Sequence, residues 1–256
     1  MGEPTLTIDH TRATIRLNRP DKRNRIEPAD LNRLAELLDE AAAARAVRVL
    51  ILTGEGPSFC SGYHLGALGR DDEGPQPSER QVGFGELCDQ LEALPQPTIA
   101  ALNGSVHGGG TDLALACDFR IGVAGSAFGM PAARIGLQYY ASGIRRYVSR
   151  LGAQTAKRLF LTAEPIDAEE MLRIGFLDAL APPDQLAAVV DRFAASIEAG
   201  APLAIANMKR AINEVAAGSP DWDQIEAGHV ETLRSADHRE ALRALAQKRP
   251  PSFTGA

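Results

Sequence analysis

The sequence predicts an α/β core followed by a helical C-terminal region, and three observations carry that prediction. Short apolar segments alternate with segments of helical period through the first half of the chain. Two of them, "VRVLILTG" and "TIAAL", are continuously apolar and rich in β-branched residues, as strands covered on both faces are. Beyond Gly143 the helical period dominates and little strand signal remains.

Taken in order, "LTID" and "ATIRLN" flank a short turn at residues 10–12 and read as a hairpin. "RPDKRNRI" then runs as a loop into a helix over 28–44, where Leu31, Leu34, Leu38 and Ala42 share one face. The strand over 47–54 follows. Residues 69–81 are acidic, contain Pro and Gly and have no apolar period, which predicts a mobile surface loop that orders when a ligand covers the cleft. A helix over 81–94 is stopped by Pro95 and Pro97, and "TIAAL" gives the next strand. Helical stretches follow over 143–161, 167–174, 184–199, 202–217 and 221–247. The division expected is a core over 1–200 and a helical region over 201–256.

With 45% apolar and 23% charged residues, the 256-residue chain can bury a sizeable core. A net charge of -6 and a pI near 5.5 exclude nucleic acid or an anionic membrane as the main partner. Apolar runs are too short to span a bilayer, and "MGEPTLTIDH" lacks the features of a signal peptide, so the cytoplasm is the expected compartment. Cys60, Cys88 and Cys117 are odd in number and widely spaced, and read as small core residues rather than a disulfide framework or a metal site.

The informative stretch is "SVHGGGTDLALACD", residues 105–118, where three glycines precede an acid and an alanine-rich helix. A strand entering a helix through glycines exposes backbone N–H groups to an anion. "GGGTDL" does not fit the GxGxxG dinucleotide pattern. "HGGG" matches an esterase oxyanion element, but its GxSxG nucleophile partner is missing from the chain. The remaining reading is an oxyanion hole for a thioester enolate, which needs a second N–H donor and a nearby acid/base.

The segments "NRPDKRN", "VRVLILTGEGPSFCSGYHL", "PTIAALNGSVHGGGTDLALACDFRI", "FGMPAARIGL" and "LTAEPIDAEEMLRIGFLDALAPPDQL" resemble, in order and spacing, those of the crotonase family, the enoyl-CoA hydratase/isomerase superfamily. The resemblance covers nearly the whole chain. It implies an α/β spiral of βαβ turns with a C-terminal helical region, assembled as a homotrimer or hexamer. It also implies an acyl-CoA substrate, with no cofactor beyond the coenzyme A thioester itself. The thioester oxygen is expected between the N–H groups of Tyr63, after "SG" at Ser61 and Gly62, and of Gly109.

The resemblance assigns the acid/base to Asp112, although an acid in the first helical turn is also favoured by the helix dipole without any catalysis. The hydratase pattern has a second acid in its "FGxPE" stretch, where this chain has Ala132. The resemblance as a whole points to an enoyl-CoA hydratase, while one carboxylate suits a 1,3-proton shuttle, as in an enoyl-CoA isomerase, or chemistry that needs only the enolate hole. The same fold also carries decarboxylases and thioester hydrolases, and a non-catalytic acyl-CoA-binding protein is the alternative of another class.

His64 and Leu65 stand at the "DL" of the family's "AGxDL", where His64 either reaches the acyl group or bonds within its own turn. His107 reads as a packing residue. Tyr139 and Tyr140, in "QYYASG", replace small residues of the hydratases; their bulk narrows the acyl pocket, their hydroxyls stand in for the missing acid, or both rings simply face the surface. Lys22, Arg23 and Lys248 match basic positions expected near the coenzyme A phosphates.

Overall fold

The computed structural model describes residues 2–64, 66 and 82–256. The loop expected at 69–81, and Leu65, lie outside these described residues. Strand β1 (Thr5–Asp9) pairs antiparallel with β2 (Arg12–Leu17), the hairpin expected from the sequence. Helix α1 (Pro28–Ala43) buries Leu31, Leu34, Leu38 and Ala41, and leads to β3 (Val49–Gly54) and, after a tight turn, β4 (Ser58–Cys60).

The pattern of helix, strand, turn and second strand repeats. Helix α2 (Phe84–Ala93) precedes β5 (Thr98–Leu102) and β6 (Ser105–His107). Helix α3 (Gly109–Ala116) precedes β7 (Phe119–Val123) and β8 (Ala127–Gly129). Each repeat adds one strand to each of two sheets, which makes a spiral.

Helices α4 (Ala141–Leu151) and α5 (Ala153–Lys157) break at Gly152, whose φ of 79° a side chain would disfavour. Then come β9 (Ile166–Asp167), α6 (Ala168–Arg173), β10 (Ala179–Ala181) and α7 (Leu186–Glu198). The larger sheet runs β1-β2-β3-β5-β7-β10 and the smaller β4-β6-β8-β9. Every pairing among β2, β3, β5, β7 and β10 is parallel.

The continuous apolar runs are explained by cover on both sides. Leu50, Leu52, Ala100 and Leu102 point into the main core, while Val49, Ile99 and Ala101 face Val190 and Ala194 of α7. Helix α3 is enclosed on every side, with residues 110–116 all buried, Thr111 and Asp112 among them.

The short strands β4, β6, β8, β9 and β10 carry too few residues for a periodic signal, and beyond Gly143 the described residues hold only β9 and β10, the little strand expected. One expectation needs correction. The helical stretch over 221–247 is two helices, α9 (Trp222–Arg234) and α10 (Ala236–Ala246), because Ser235 takes an extended conformation and caps the second by accepting from the His238 N–H. Before them, α8 (Pro202–Ala217) is anchored by polar contacts, with Lys209 Nζ 2.7 Å from Asp118 and the Asn213 amide donating to the Glu92 carbonyl. Its Met208, Ile212 and Val215 are 56%, 66% and 49% exposed.

Candidate active site

The start of α3 is built on glycine for two separable reasons. Gly108 has φ 52° and ψ -129°, a conformation that disfavours any side chain. Gly109 has ordinary geometry, but a Cβ there would come within 2.8 Å of the Phe84 ring. The turn after β4 meets this one closely: a Cβ on Gly62 would lie 2.8 Å from the His107 carbonyl and 3.0 Å from the Gly109 nitrogen. Gly62 and Gly109 are therefore backbone against backbone.

The orientation of Tyr63 follows from its pairing with Ile26. The Ile26 N–H donates to the Gly62 carbonyl and the His64 N–H donates to the Ile26 carbonyl. Alternation along an extended backbone turns the Tyr63 N–H to the opposite side. Gly109 opens α3, so its N–H has no acceptor within the helix. The two turns expected to supply an oxyanion hole are thus brought together.

Asp112 lies one turn further along α3 and is 0% exposed. Arg146 Nη1 of α4 donates to both of its oxygens, at 2.9 and 2.8 Å, and the Tyr140 hydroxyl donates to Oδ2. Arg146 is itself 0% exposed. Its Nη2 contacts Asp89 at 2.6 Å and Glu92 at 3.4 Å, both from α2. Burial pushes the Asp112 carboxyl above its ordinary value, while Arg146 and the Tyr140 hydrogen bond pull it down.

Arg146 was not anticipated from the sequence. A signal was available, because Arg146 falls three residues after Gly143 and beside Tyr147, on the face of α4 that the structure buries. Phe84 was missed as well. It lies between Tyr63 and Tyr140, with ring centroids 5.8 and 6.3 Å away. Tyr139 stacks on Tyr140 at 4.5 Å and is buried, its hydroxyl without a partner among the described residues. The Tyr147 and Thr111 hydroxyls share a buried hydrogen bond behind them. The two tyrosines of "QYYASG" are therefore not surface groups: they wall the region beside Asp112.

The other predicted residues divide. Ser61 links to the Lys22 and Arg23 turn, its N–H donating to the Arg23 carbonyl at 2.8 Å and its hydroxyl to the Lys22 carbonyl at 3.0 Å. Lys22 and Arg23 are exposed alongside the Gly62–Tyr63 turn. His64 Nδ1 lies 2.7 Å from Glu27, so it is bonded within its own neighbourhood. Lys248 is exposed beyond α10, and no hydrogen bond or ion pair among the described residues ties it to that turn. Ala132 is buried in the main core.

All three cysteines are buried and unbridged, and desolvation lifts the Cys60 and Cys117 thiols to about 12. Among the described residues, no three His, Cys, Asp or Glu side chains are grouped to hold a metal ion, and no helix is long and apolar enough to cross a membrane.

Comparison with known proteins agrees with this architecture. The family model for enoyl-CoA hydratase/isomerase matches residues 7–256. An enoyl-CoA isomerase/hydratase of Mycosarcoma maydis is 35% identical, over 93% of this chain and 91% of its own. The (E)-benzylidenesuccinyl-CoA hydratase of Thauera aromatica is 31% identical, over 98% and 99%. A crystal structure of an enoyl-CoA hydratase from Mycobacterium tuberculosis H37Rv superposes with a TM-score of 0.86 at 32% identity, covering 99% of both chains.

Proposed function

Because the chain belongs to the enoyl-CoA hydratase/isomerase family, we propose that it binds an acyl-CoA and forms a thioester enolate between the N–H groups of Tyr63 and Gly109. The observation that carries this reading is the contact of the Gly62 turn with the Gly109 nitrogen at the head of a buried helix. Removing a proton alpha to a thioester places negative charge on its oxygen, and two fixed donors in a dry cleft stabilise that charge by several kcal/mol, of order ~3 kcal/mol per donor. Asp112 is the carboxylate that takes up the proton in this reading. The reaction draws on these groups and the coenzyme A thioester alone.

A specific observation favours double-bond isomerisation over hydration within this family. Ala132 occupies the position of the second acid and is packed in the apolar core, so water addition lacks its second proton-transfer group. Lys22 and Arg23, beside the Ser61 turn, are suited to the coenzyme A phosphates, with Lys248 as a further cation.

The exposed Met208, Ile212 and Val215 stripe of α8 supports a homotrimer or hexamer built through the helical region over 201–256. The cytoplasm is the compartment we assign.

Incubating the protein in deuterated water with a panel of acyl-CoA thioesters tests the reading, since enolate formation exchanges alpha protons whatever the final product. Exchange well above the uncatalysed rate is expected for at least one thioester. Its absence across the panel would overturn the proposal.

A further inference from the structure

We propose that Tyr140 is the catalytic residue that exchanges a proton with the bound acyl chain, and that Asp112 acts through it as a positioning residue. The inference rests on the enolate reading above and concerns which group meets the substrate. Asp112 is wholly enclosed, and its oxygens are occupied by Arg146 Nη1 and the Tyr140 hydroxyl. Of these three side chains only Tyr140 retains exposure. Its ring packs against Phe84, and Phe84 in turn rests on Gly109, so Tyr140 stands between the carboxylate and the oxyanion turn.

The hydroxyl proton of Tyr140 is already committed to Asp112, which leaves the phenol oxygen with lone pairs to offer a substrate proton. Burial, with the Asp112 charge beside it, holds the phenol far above its ordinary pKa, so a free phenolate does not form. Transfer is therefore coupled. The C–H bond alpha to the thioester breaks, its electron pair passes to the thioester oxygen, and its proton goes to the Tyr140 oxygen. At the same time the Tyr140 proton moves to Asp112 Oδ2.

For return of the proton at the gamma carbon, Asp112 gives its proton back to the Tyr140 oxygen while Tyr140 releases one to carbon. The enolate electrons then form the shifted double bond. Atoms and charge balance, and no second carboxylate is needed. Arg146 fixes the Asp112 rotamer and opposes the rise in its pKa that burial causes.

The groups facing this pair are Cys88, Asp89 and Glu92 of α2, Arg146 and Tyr147 of α4, and Tyr139.

The test is alpha-proton exchange of a thioester that the native protein turns over, followed across pH for native, Tyr140→Phe and Asp112→Asn proteins and for a protein carrying 3-fluorotyrosine at position 140. Tyr140→Phe is expected to lose about 100-fold or more in exchange rate, with thioester affinity within a few-fold. Asp112→Asn is expected to lose rate and to displace the pH profile, which a merely structural role would not do. The fluorinated phenol, nearly the same size but a weaker proton acceptor at oxygen, is expected to lower the exchange rate several-fold.

Exchange by Tyr140→Phe within three-fold of native overturns the proposal. If Tyr140→Phe does not fold, the fluorotyrosine protein decides, and an exchange rate equal to native overturns it. Absence of exchange in the native protein instead overturns the enolate reading, so the two failures are distinct.

Discussion

Asp112 of α3 and Arg146 of α4 form an ion pair sealed from solvent, with Arg146 Nη1 2.9 and 2.8 Å from the two carboxylate oxygens. Two buried charges are costly to create and more costly to separate, because removing one leaves the other unpaired in a medium that cannot solvate it. The pair therefore sets both the stability of the α2–α3–α4 junction and the state of the acid in the site.

Arg146→Met is expected to destabilise the protein by about 3–5 kcal/mol, measured by urea unfolding. It leaves the Asp112 carboxylate without its cation. Asp112→Asn should cost less, since Arg146 keeps Asp89 and Glu92. A loss under about 1 kcal/mol for Arg146→Met would mean that the pair is not charged.

How much of this was legible in the sequence depends on the range of each signal. The glycine triplet, the Ser61–Gly62–Tyr63 turn and Asp112 were readable because each belongs to a local motif. The buried runs of β3 and β5 were readable because their composition reports cover on two faces. The cation on Asp112 was not, since Arg146, and the Asp89 that Arg146 binds in turn, come from other helices and only packing brings them together. Phe84 begins α2 after an acidic stretch and gives no local hint that its ring will rest on Gly109. The triplet signals exposed N–H groups in the sequence, whereas only the structure shows that Gly108 is required by its backbone angles and Gly109 by Phe84.

Gly109→Ala is expected to destabilise by about 1–3 kcal/mol through overpacking against Phe84. Adding Phe84→Leu removes the opposing ring atoms and should recover part of that loss. A double-mutant cycle measures the coupling, and strict additivity would show that the Phe84 contact is not the constraint.

His107 makes stability depend on pH near neutrality. Burial first, and the charge of Arg23 second, lower its imidazole below the ordinary value. The folded state therefore resists protonation that the unfolded chain accepts near pH 6.5. Stability is fully present above that value and falls as pH drops through it toward the lower folded value. His107→Asn should flatten this part of the profile in thermal unfolding between pH 7.5 and 5.5, and an unchanged slope would remove His107 from the account.

Assembly is tested on the α8 stripe. The 27.3 kDa chain is expected to run as a trimer or hexamer by light scattering, and Met208→Glu with Ile212→Glu should release smaller species. A native monomer would leave that apolar stripe unexplained.

The most direct measurement of the central claim follows one sample, an enoyl-CoA with the native protein in deuterated water, by NMR at both reacting positions. Formation of an enolate at Tyr63 and Gly109 with a single proton-transfer group predicts solvent deuterium in the acyl chain and a shift of the double bond, with 3-hydroxyacyl product accumulating far more slowly. Brisk hydration with little exchange would contradict the single-acid site, and no change at either position would contradict the enolate itself.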